Sequence, residues 1–477
     1  MKLRTCGLVV SAAFVVACVL GSASAQFYQQ GPKLVGAGAI DLSEQGGSVA
    51  LSGDGSTAIF GGPDDNGGTG AAWVYTRSNG VWTQQAKLVG TGAIGNASQG
   101  ASVSLSGDGN TAIIGGPNDN GFNGAAWVFT RSGGVWSQQA KLIATDAIRL
   151  PTQGRSVSLS HDGNTAIVGG PDDNFGLGAA WVFTRSGGVW TQQAKLVGTG
   201  AIGPGGGQGT SVSLSGDGNT AIVGEPRPNG SAGAAWVFTR SGGVWGQQQQ
   251  LVGTGAVPGS CLGPSQGASV SLSDDGSTAI VGGPLDDGTQ EHCSDAIGAA
   301  WMFTRSGGVW SQQGPKLVGS GALPEAGQQG RSVSLSGDGN TAIIGGPFGS
   351  LSGNSIGAAW VFTRPSGVWS QQQKLVGTGV VGSAGQGSSV ALSGDGNTAI
   401  VGGPFDNNTE GAAWVFAPFA GTPGTASCFG LSTSTLVREF GGINAAAAGT
   451  GFSSIRALQD AIMAYCDGSG QVASTLP

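Results

Sequence analysis

The sequence predicts an all-β fold: a seven-bladed β-propeller of four-stranded antiparallel blades, followed by a small helical module. Three observations predict it. The tripeptide Ala-Ala-Trp recurs seven times, at Trp73, Trp127, Trp181, Trp236, Trp301, Trp360 and Trp414, mostly 54 or 55 residues apart. Each unit carries four strand-like pieces, the content of one propeller blade. A lone fourth piece, "FYQQGPKLVG" from Phe27, precedes the first complete unit, and the last unit stops after three pieces near Pro418. Together these remnants make one blade, as a ring without a free edge requires. A linear solenoid would carry polar caps instead.

The second unit shows the pattern. "ASVSLS" (Ala101 to Ser106) alternates serine with apolar residues, the period of a strand. "TAIIGGP" (Thr111 to Pro117) and "GAAWVFTR" (Gly124 to Arg131) are nearly continuous apolar runs, as expected of strands buried on both faces. "VWSQQAKLI" (Val135 to Ile143) is the fourth. "GDGN" and "SGG" join the first and last pairs as tight hairpins, because glycine and Asn/Asp tolerate positive φ. Seven "AAW" and six "VW" account for all 13 tryptophans, and Phe27 stands where a fourteenth would be.

Composition fits this reading. Among 477 residues there are 94 glycines, yet 39% are hydrophobic, which argues against disorder; without a three-residue period it also argues against collagen. The net charge is −7 and no basic run exists, so nucleic acid is not an expected partner. Lys2 and Arg4 before the apolar run Leu8 to Leu20, and "ASA" ending at Ala25, read as a signal peptide over residues 1–25. The expected location is therefore secreted, periplasmic or cell-surface. A competing reading takes "VVAC" as a lipobox, which would tether the chain to a membrane at Cys18, but the apolar run continues to Leu20. The propeller is expected over 26–418, a linker over 419–427, a disulfide-closed helical module over 428–467, and a flexible tail over 468–477. Four cysteines remain after the signal, and in an exported chain they suggest bridges Cys261–Cys293 and Cys428–Cys466. Within the tail, Gly441 is positioned to end one helix, and Ser453 or Ser454 to cap a second.

"QGASVSLSGDGNTAIIGGP" resembles the FG-GAP repeat of integrin α-chain propellers and many secreted bacterial proteins, with Gln99-Gly100 in place of Phe-Gly and Gly115 to Pro117 in place of Gly-Ala-Pro. The resemblance implies the propeller fold and leaves function open. Several members of that family bind calcium in the first hairpin. Here the register reads Ser104, Ser106, Asp108, Gly109, Ala112, too few carboxylates for a cation that wants six to eight oxygens. No cofactor is therefore expected, and Asp54 to Asp395 read as turn formers.

In this architecture the second-to-third loops and the links between blades share one face, the usual ligand face, and the length variation falls there. Its acidic loops supply the candidate ligand residues Asp64, Asp65, Asp119, Asp172, Asp173 and Asp406; turn chemistry competes as their explanation. The divergent fifth loop adds Asp286, Asp287, Glu291, His292 and Asp295. No diagnostic metal spacing appears. The Gln of each "QG" reads as a buried amide holding loop backbone, and the Arg of "FTR" as a cation stacked on the "VW" indole. His161, in "SHDG", reads as a turn residue. With two histidines and no phosphate loop, enzyme signals are poor. The expected function is an exported, non-enzymatic binding scaffold for a carbohydrate or protein partner. A secreted carbohydrate-active enzyme and a surface adhesin are the alternatives.

Overall fold

A computed structural model of the chain describes residues 26–200, 205–226, 232–257, 263–288, 296–321, 327–348, 355–419, 428–450 and 452–466. The expected signal peptide, the Cys18 anchor, most of the linker and the tail lie outside these residues. Seven four-stranded antiparallel sheets surround one axis. The second blade runs outward through Ser102–Leu105, Thr111–Gly116, Ala125–Ser132 and Val135–Leu142. The seventh blade is shared: Ser389–Leu392, Ala399–Gly403 and Ala412–Ala417 pair with Tyr28–Gln29 from the other end of the chain. Among the described residues, no helix is long and apolar enough to cross a membrane.

The middle strands are buried because each blade packs against two neighbours, and one tryptophan fills each of those contacts. Trp127 is fully buried, and its indole N–H donates to the Thr91 carbonyl at 2.9 Å. The ring lies against bare backbone: a Cβ on Gly90 would fall 2.2 Å from it, and one on Gly116 2.6 Å. The repeated glutamine closes the link above it. Gln99 Oε1 accepts the Gly90 N–H while its Nε2 donates to the Gly90 carbonyl at 2.9 Å. The same oxygen contact occurs at Gln45, Gln153, Gln208, Gln266, Gln329 and Gln386, all buried. A buried amide with both ends paired fixes a loop without a ligand.

The outer strands are joined by a second device. Arg131 lies 5.4 Å from the Trp136 ring centroid, as expected for guanidinium over indole. Both side chains also donate to Gln85 Oε1 on the preceding blade, at 3.1 and 2.9 Å. At the seam Arg77 reaches Gln30 in the same way, but the Trp82 N–H has no partner. At the opposite end of the axis from the links, the first hairpins bond to one another around the ring. Gly53, Gly107, His161, Gly216, Asp274 and Gly337 each donate to the carbonyl of the next blade's turn, and Asp395 N–H returns to Gly53 O.

The tail folds as three helices: α1 (Cys428–Phe440), α2 (Ile443–Gly449) and α3 (Ile455–Cys466). Gly441 ends α1 at φ 74°, and Ser454 Oγ accepts the Ala457 N–H at the start of α3. The middle helix was not anticipated, because its alanine run has no amphipathic period. A Cys428–Cys466 disulfide joins α1 to α3. The module docks on the seam. Tyr28 stacks on Phe419 with centroids 3.7 Å apart, and both join a core with Leu436, Leu458 and Ile462. This covers the two-residue outer strand, where other blades have longer ones.

Glu439 of α1 is shut in beside the Asn79–Gly80 turn, and neither carboxyl oxygen receives a hydrogen bond. Burial pushes its pKa up to about 7, against the pull of the Arg77 and Arg438 guanidiniums. A raised carboxyl stabilises docking below its unfolded value near 4.5, and that contribution is lost as pH rises through about 7. Protection of α1 amides from exchange should therefore fall between pH 5 and 8, and E439Q should remove the dependence. In the blades, G90A should cost about 2 kcal/mol or more in urea unfolding through overpacking. G246A, with nothing near its Cβ, should stay within about 0.5 kcal/mol.

Candidate loop face

The second-to-third loops and the links meet on one face, and the acidic pairs there divide between two duties. In the second blade, Asp119 Oδ1 accepts the Ile94 N–H from the link at 2.7 Å. Its other oxygen pairs with Lys141 at 2.6 Å, and that ammonium sits 5.0 Å from the Trp127 ring. Asp65 and Asp173 repeat this with Ile40–Lys87 and Ile148–Lys195; Asp406 and Asp286 do so with Val381–Lys33 and Val257–Lys316. All five carboxylates are buried. These candidate ligand residues are scaffold: a carboxylate that satisfies a backbone N–H and a lysine has no exposed oxygen to offer.

Asp64, Asp172 and Asp287 remain exposed on the face. They are spread over three blades and do not converge. Glu291, His292, Asp295 and the proposed Cys261–Cys293 bridge lie outside the described residues. Among the described residues, no group of three or more His, Cys, Asp or Glu could hold a metal ion.

The first-hairpin aspartates complete their own turns. Asp108 Oδ1 accepts the Ser106 hydroxyl and the Asn110 N–H, and Oδ2 accepts the Asn110 side-chain amide at 3.0 Å. Burial works to raise its pKa, but these hydrogen bonds and Arg131 hold it below the usual carboxylate range. His161 is indeed a turn residue, but its ring lies over Gly107 and reaches Asp274 of the fifth blade at 3.5 Å. Asp274, like His161, takes a position that is glycine in the other blades, which was the sequence signal for this pair.

The face also exposes large apolar side chains. All four exposed phenylalanines among the described residues (Phe122, Phe175, Phe348 and Phe405) lie in second-to-third loops. Phe175 is 63% exposed and sits at φ 63°, where the first and second loops use Gly67 and Gly121. A bulky residue there costs roughly 1–2 kcal/mol. Arg149, itself at φ 55°, lies 4.5 Å from the Phe175 ring, beside exposed Ile148 and Leu150. The sequence reading missed this third-blade patch. Its signal was "AIRLP", which breaks the repeat where the first and second links read "AIDLS" and "AIGNA".

The FG-GAP repeat family model matches residues 82–129, 136–183 and 369–416, each running from a fourth strand through the next blade's third. No curated protein matches the chain. Among solved structures, a chain titled Kuenenia stuttgartiensis hydrazine synthase is similar over 81% of this chain and 98% of its own, with a TM-score of 0.53 at 14% identity. That identity supports a shared fold alone.

The two duties of the acidic pairs separate by mutation. D119A strands a lysine and a backbone N–H and should cost roughly 3 kcal/mol in urea unfolding. D64A should change stability by less than about 0.5 kcal/mol.

Proposed function

We propose that this FG-GAP-repeat propeller is an exported, non-enzymatic binding scaffold that takes a protein partner on its loop face, centred on the third blade. The observation that carries the reading is Phe175, exposed and held in a left-handed conformation next to Arg149. Strain kept at an exposed aromatic is the signature of a residue retained for contact rather than for stability. Aromatic and arginine side chains are the usual anchors of protein interfaces. Ile148 and Leu150 extend the apolar area, and the buried Asp–Lys pairs beneath hold the loops in place, so that little ordering is left for binding. Binding is independent of calcium on this reading, because the turn carboxylates are already occupied.

The test uses residues 26–477 immobilised for capture from the producing cell's surface and medium, alongside a glycan array, each with and without chelator. A saturable protein ligand that survives chelation and is weakened at least tenfold by F175G is the expected result. F175G should leave the melting temperature unchanged or raise it, since glycine relieves the left-handed strain. Saturable glycan binding without a protein ligand would replace the partner class. Capture unaffected by F175G and L150S would remove the third blade from the site.

A further inference from the structure

We infer that the loop-face end of the central channel is an oxyanion site formed by Arg155 and Arg331. Both residues directly precede the innermost strands of their blades, Ser156–Leu159 in the third and Ser332–Leu335 in the sixth. The innermost strands of neighbouring blades pack side by side around the axis. The third and sixth blades of a ring of seven stand on opposite sides of it, so two arginines at one register face each other. The other five blades place Gly47, Ala101, Thr210, Ala268 and Ser388 there, all short. At this register the two arginines are therefore the only long side chains.

Neither guanidinium has an acidic partner among the described residues. No hydrogen bond or ion pair joins the side chain of Arg155 or Arg331 to any described residue, whereas Arg131, Arg185, Arg240 and Arg364 bond to glutamine, asparagine or threonine and Arg305 stacks on Trp310. Both side chains retain exposure to water, which leaves them accessible to a dissolved ion. Enclosure by the channel walls lowers the pKa of Arg331, and the like charge of Arg155 lowers it further. Two cations that repel each other are stabilised by an anion between them. Guanidinium forks match tetrahedral oxyanions in two-point geometry, so the ligand class is a doubly charged oxyanion such as phosphate. The inference does not depend on the partner-binding reading, since the site lies inside the channel and Phe175 on the rim.

Calorimetry and thermal melting of residues 26–477 with inorganic phosphate, at constant ionic strength in chloride, test the site. Saturable phosphate binding is expected, with the dissociation constant rising at least tenfold in R155Q or R331Q and no saturable signal in the double variant. In chloride alone, R331Q should melt at the same temperature as the parent or higher, because repulsion is relieved; this keeps misfolding from imitating loss of a site. R149Q and F175G, outside the channel, should bind phosphate as the parent does, even if partner capture fails. Absence of phosphate binding by the parent, or equal binding by the double variant, would overturn the site. Acetate binding as tight as phosphate would overturn the ligand class.

Discussion

Each contact between blades holds one indole against glycine backbone; five of the seven indoles lie between two glycines, while Ala144 replaces one beside Trp181 and Glu225 one beside Trp236. Trp127 occupies the space that a Cβ on Gly90 or Gly116 would need, and its N–H is satisfied by the link that passes over it. Much else follows from this. The link must stay close, so Gln99 grips both the N–H and the C=O of Gly90. The loop below must hold the link's continuation, so Asp119 takes the Ile94 N–H. Lys141 neutralises that aspartate and lies against the same indole. Part of the glycine abundance in this chain is a packing requirement repeated blade by blade, and part supplies positive-φ turns such as Gly133–Gly134.

The fold was legible because seven copies make a weak pattern strong. Alternation in "SVSL", the runs around Trp127 and the hairpin glycines each recur in register, and the divided seventh blade announced closure. The stacking of Arg131 on Trp136 and the grip of Gln99 could be read for the same reason: a residue present in every copy serves what every copy shares. The candidate face was only partly legible. Asp64 and Asp65 are adjacent and chemically alike, yet one is exposed and the other buried. Which of them turns inward is decided by the left-handed step through Asn66 and Gly67, and composition does not reveal that. Arg155, Arg331, Phe175 and the His161–Asp274 pair were visible as breaks in the repeat, but their meaning depends on which blades stand opposite or near one another.

This division has an energetic logic. The shared residues act within or between neighbouring blades, so their contributions recur around the ring and leave a stable frame. A stable frame tolerates local cost at a few positions, and here those positions break the consensus: a phenylalanine in glycine's conformation and two arginines without counter-charges. Binding features on such a scaffold are better sought in exceptions than in repeats.

Because both ends of the propeller enter one blade, the molecule has an unusual mechanical circuit. Tension applied between the strand at Tyr28 and the disulfide-closed helices does not pass through six of the seven blades. It falls on the few hydrogen bonds from Gln30 and Leu34 to Val415 and Ala413, and on the Tyr28–Phe419 stack beneath the helices. The ring would open there as a clasp does, with the remaining blades unloaded and their contacts intact.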